Sequence, residues 1–68
     1  ADDTVGRIKS MAAALIDFID GIPVLGAETE AQLVRSAEVA RLKALAMTEI
    51  ESAAMWAVKA ATKGEYTE

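Results

Sequence analysis

The run Thr29–Gly64, TEAQLVRSAEVARLKALAMTEIESAAMWAVKAATKG, contains no proline and no glycine until its last residue, and its reading decides the fold. It opens with Thr29, Glu30, Ala31 and Gln32. In such a Thr-x-x-Gln capping box each outer side chain satisfies the other's exposed backbone N–H, which starts a helix. Apolar residues then recur at steps of three and four through Val39, Leu42, Ala46, Ile50, Ala53, Ala57 and Ala60, the spacing of one helical face. Lys59 and Lys63 lie near the far end, where cations offset the negative pole of the helix dipole. The pattern predicts a helix over 30–63 and a frayed, acidic tail over 64–68.

Toward the N-terminus the same period returns in Val5, Ile8, Ala12, Leu15 and Ile19, with Met11 and Phe18 widening the stripe. Asp2, Asp3 or Thr4 can cap its start, Gly21 can end it, and Pro23 and Gly26 keep the chain from continuing as helix. A helix over 4–20 and a connector over 21–29 follow. The connector is apolar for a turn, and Ile22, Val24 and Leu25 either cover the end of the hairpin core or form a docking surface.

Lengths then govern the architecture. At 1.5 Å per residue the first helix spans about 25 Å and the second about 50 Å. Folded antiparallel by a short connector, the first reaches only to about Met47, which leaves Ile50, Met55, Trp56 and Val58 without an intramolecular partner. A second chain is expected to cover them, because a chain this small cannot hold a large core alone. The expectation is an all-α, two-helix antiparallel hairpin, short helix then long, forming one domain over 1–68 and assembled into a homo-oligomer. Ala53, Ala54, Ala57, Ala60 and Ala61 allow helices to approach closely at that interface.

Composition agrees and removes several chemistries. Of the 68 residues 15 are alanine, and three are aromatic (Phe18, Trp56 and Tyr66), a bias toward helix and away from strand. Without cysteine or histidine there is no disulfide framework, no thiolate nucleophile, no zinc site of the usual kinds and no imidazole base. Asp17 and Asp20 lack the order of a calcium loop, and Glu49 and Glu51 point to different sides of their helix. Gly21 and Gly26 lack the context of a phosphate loop. The chain reads as non-enzymatic, with no metal and no cofactor. No apolar run approaches the roughly 20 residues that span a bilayer, so a cytoplasmic protein without membrane contact is expected.

Charge distribution matters more than the net charge of −4. Asp2, Asp3, Glu65 and Glu68 sit at the ends, and residues 4–64 carry seven positive and seven negative side chains. Cations scattered among acids do not make the concentrated basic face that duplex DNA requires, whereas a small anion needs only two or three, repeated by symmetry. Arg41, Leu45, Thr48, Ser52, Met55 and Lys59 share one helix face. Arg41 and Thr48, two turns apart, can both reach one phosphate-bearing ligand. Equally, Arg41 can pair with Glu38, Thr48 can bond to its own helix carbonyls, and Lys59 can be a surface group. Trp56 offers an indole face for stacking a base or an anchor for oligomer packing. Arg7 and Lys9 read as solvent-facing or as ligand contacts.

The stretches RLKALAMTEIESAAMWAVKA (41–60) and RIKSMAAALIDFI (7–19) resemble the helical-hairpin domain of phage anti-CBASS and anti-Thoeris signal-sequestering proteins. The likeness covers roughly residues 5–63 and rests on the Arg41-Leu42 start, Thr48 seven residues on, and the Met55-Trp56-Ala57-Val58-Lys59 ending. It implies a hexamer of helices in the host bacterial cytoplasm that captures cyclic di- or trinucleotide messengers without cleaving them. By the same resemblance Lys9 matches a first-helix cation that contacts phosphate in a cyclic dinucleotide pocket between protomers. Arg41 and Thr48 match a separate cyclic trinucleotide site near a symmetry axis. Arg7 and Ser52 complete the candidate set. The rival reading is an RNA-binding or adaptor hairpin that dimerises into a four-helix bundle.

Overall fold

The protein is described by a computed structural model covering residues 3–24, 26 and 28–66, with side chains to Lys63. Asp2 as a cap, Leu25 in the connector, the side chain of Tyr66 and the last two residues of the tail lie outside the described residues. Two helices, α1 (Thr4–Asp20) and α2 (Glu30–Tyr66), make up the fold, with no strand among the described residues. The Cα trace extends over 60 × 15 × 6 Å, a length set by α2 alone, since 37 residues of helix rise about 55 Å.

Local chemistry places the helix ends. The Gln32 N–H donates to Thr29 Oγ1 at 3.1 Å, the forward half of the capping box. The return bond is displaced by one residue: Gln32 Oε1 accepts from the Glu28 N–H at 3.0 Å. Asp3 holds the cap position of α1 through its backbone, its carbonyl accepting from the Arg7 N–H at 2.9 Å, with no side-chain cap bond. Gly21 follows α1 in right-handed geometry, φ −76° and ψ −6°, so its freedom to adopt positive φ is not used. At the other end α2 passes through Gly64 to Tyr66 rather than ending at 63. One glycine in a helix costs about 1 kcal/mol relative to alanine, which weakens a helix without stopping it.

The register differs from the expectation. Lys43 Nζ donates to the carbonyls of Asp20 at 2.9 Å and Ile22 at 2.6 Å, so the C-terminal end of α1 lies beside Lys43 and not at the start of α2. From there α1 runs back along the distal half of α2, where Lys9, Ala12, Ala13 and Ile16 meet Glu51, Ala54, Met55, Val58 and Lys59. Ile50 and Val58, expected to be vacant, are half-buried. The segment without α1 beside it is the opposite one, roughly residues 30–42. Its inward positions are accompanied by the connector, with Pro23 near Gln32, Arg35, Ser36 and Val39.

Side-chain polarity explains this choice. The inward positions of α2 read Ser36, Val39, Lys43, then Ala46, Met47, Ile50, Ala54, Ala57, Val58 and Ala61. Only the second group offers α1 a continuous apolar stripe, so the connector spends its length reaching back to bring α1 there. The stripe is the predicted one in part, with Val39, Ala46, Ile50 and Ala57 of α2 and Val5, Ile8, Ala12 and Ile19 of α1 half-buried, and is rotated in the rest. Leu42, Ala53 and Ala60 are exposed, as is Leu15 of α1, while Met47, Ala54, Val58, Ala61 and Ile16 turn inward. The alanines expected at an interface between chains include Ala54, Ala57 and Ala61, which let α1 approach within one chain.

Burial remains shallow everywhere. Among the described residues none is fully buried, and Phe18 is 78% exposed, Val34 67% and Leu33 57%. Both helices are therefore amphipathic on one side and still apolar in patches on the other.

Candidate functional site

Along the seam between α1 and the distal half of α2 runs an open groove of about 590 Å³, within the usual range of ligand sites. Its floor is small and apolar: Ala12, Ala13 and Ile16 from α1, Ala54, Met55 and Val58 from α2. The alanines put no bulky side chain on that floor. Three charges edge it, Lys9 from α1 and Lys59 and Glu51 from α2. Lys59 and Glu51 are eight residues apart on α2, about 12 Å along the axis, so these two charges of the lip are separate. Lys9 has no hydrogen-bond or ion-pair partner among the described residues, and Lys59 Nζ lies 4.9 Å from the centroid of the Trp56 ring.

The five residues singled out from sequence do not converge. Lys9 edges the groove. Arg7 and Ser52 are exposed and outside the groove lining. Arg41 sits 18 residues before Lys59 on α2, about 27 Å away along the axis, so no compact ligand touches both in one protomer. Its guanidinium is engaged with Glu38, Nε donating to Oε1 at 2.9 Å and Nη2 pairing with the same oxygen. Both partners are half or more exposed, which keeps such a pair weak, about 0–1 kcal/mol. Thr48 is exposed, and the threonine that bonds back to its own helix is Thr62, whose hydroxyl donates to the Val58 carbonyl at 3.0 Å.

Sequence reading passed over Glu51, Met55 and Val58 as site residues because it placed α1 elsewhere. One signal is in the residues: Met55 and Lys59 are the far end of the Arg41–Lys59 stripe, and the polar Gln32, Ser36 and Lys43, unweighed in the sequence analysis, disfavour α1 beside the start of α2. Lys43, one of the cations scattered along the sequence, ties α2 to the end of α1.

A cation-edged, apolar-floored seam on two packed helices defines a small all-helical hairpin protein. The comparison with family models goes one step further: that of the Acb2/Tad1 hairpin domain matches residues 1–62, and the chain belongs to this family, that of the anti-CBASS and anti-Thoeris sponges. Proteins of the family are non-catalytic and sequester cyclic nucleotides. No curated protein and no solved structure matches the chain significantly. Among the described residues no helix is long and apolar enough to cross a membrane.

Proposed function

We propose that residues 1–68 act as one hairpin unit that captures cyclic di- or trinucleotides stoichiometrically, in the host bacterial cytoplasm, and so deprives CBASS-type anti-phage effectors of their signal. The observation that carries this reading is the groove of Lys9 on a hairpin of the sponge family. Capture needs cations for phosphates and apolar surface for bases, and both occur there. It needs no general base and no metal. Lys9 is assigned to the cyclic dinucleotide, with Arg7 two residues before it as an outer cation. Arg41, Thr48 and Ser52 are assigned to a second, trinucleotide site, for which Arg41 exchanges Glu38 for a ligand phosphate.

Self-association belongs to the same reading, with a hexamer as the assembly. The accessible surface is 5479 Å², whereas a compact monomer of this mass exposes roughly 4,100 Å². The excess, roughly 1,400 Å² per protomer, exceeds the 800 Å² or so that each partner contributes to a standard interface.

Calorimetry against 3′,3′-cyclic dinucleotides of adenine and guanine and against cyclic triadenylate tests the reading. Saturable binding is expected, with unchanged ligand recovered after denaturation. Hydrolysed ligand, or the absence of heat with every compound, refutes it. Arg41→Ala and Thr48→Ala are expected to weaken trinucleotide binding about tenfold, the value of one charge-assisted hydrogen bond, with sedimentation unaltered. Retained affinity in both removes the second site.

A further inference from the structure

Lys59 is shared between two places. Its side chain lines the groove that Lys9 also lines, and its ammonium rests over the Trp56 ring, 4.9 Å from its centroid. Trp56 itself does not line the groove and is 60% exposed. Two ammonium groups on one apolar groove repel each other, and the indole face gives Lys59 somewhere to go when no anion is present. An anion in the groove reverses the preference, because a charge-assisted bond to a phosphate oxygen is stronger than an exposed cation–π contact.

We propose that Lys59 is the second phosphate-holding cation of the groove and that Trp56 is its resting partner, so that ligand binding draws the ammonium off the ring. The two lysines come from different helices and line the same groove with Ala12, Ala13 and Ala54. The ligand this suits is a dianion whose two phosphates flank a flat apolar body. Glu51 lies at the far end of the lip, where it does not compete with the phosphate for Lys59. This assignment rests on the proposed capture of a cyclic dinucleotide, and adds a residue and an optical signal to it.

Trp56 is the chain's one tryptophan, so its emission reports this contact without interference. Titration of wild-type protein with 3′,3′-cyclic dinucleotides, followed by calorimetry and by Trp56 fluorescence, is expected to give one affinity by both. Lys59→Met is expected to weaken binding ten- to a hundredfold and to abolish the fluorescence change, with helicity and sedimentation as in the wild type. Lys59→Arg is expected to restore most of both. Wild-type binding that persists within twofold in Lys59→Met, or that leaves Trp56 emission unchanged, overturns the assignment while sequestration stands. No calorimetric signal with any cyclic nucleotide overturns sequestration and the assignment together.

Discussion

The two ends of α2 are built from the same alanine-rich material and do different things. From Lys43 to Thr62 its inner face is apolar, α1 lies along it, and the seam carries the groove. From Glu30 to Leu42 the inner face is Gln32, Ser36 and Val39, only the connector accompanies it, and Leu33, Val34 and Leu42 stand half or more exposed. A few polar residues on one helix face thus decide where its partner lies. They also decide which part α1 leaves uncovered, and that is the surface the proposed self-association would use.

The sharpest way to break this contrast is to spoil the seam. Ile16→Asp puts a carboxylate against Ala54 and Val58 and is expected to cost about 2–4 kcal/mol, enough to remove cooperative thermal unfolding in a protein this small, followed by circular dichroism. An unchanged melt would place α1 elsewhere. The other end is tested by charge. Leu33→Glu with Val34→Glu leaves the hairpin seam untouched and is expected to reduce the sedimenting species toward a 7.2 kDa protomer, and a constant mass would move the interface off this segment.

The boundary between the two regions is Lys43. Lys43→Met removes the bonds to the Asp20 and Ile22 carbonyls, a loss of about 1–2 kcal/mol, seen as a melting temperature lower by about 5–10 °C. No change would mean that the apolar stripe alone holds the register. The smallest effect is expected from Thr29→Ala, which removes the acceptor of the Gln32 N–H. Fraying of about 1 kcal/mol should appear as faster hydrogen exchange over residues 30–34 and leave the groove's affinity as it was.

Much of this protein is legible in its residues. The capping box, the run free of glycine and proline and the periods of three and four specify two unequal helices, because those signals act through hydrogen bonds and side chains within a turn of each other. The absence of histidine and cysteine from the sequence removes whole classes of chemistry, and the motifs at 41–60 and 7–19 point to the family that contains the chain. Lys9 was visible as a candidate by that resemblance.

What the residues did not disclose singly was which half of α2 receives α1. The predicted and observed stripes share Val39, Ala46, Ile50 and Ala57 and part where Leu42, Ala53 and Ala60 are exposed and Met47, Ala54 and Val58 turn inward, and either edge satisfies a helical period. Choosing between them requires the summed burial of two faces and the reach of the connector. Those quantities exist only once both helices are placed together. The groove, with Lys9 and Lys59 both on its lining, and the tie from Lys43 are products of that choice, since each joins residues more than 20 positions apart whose proximity no local signal encodes.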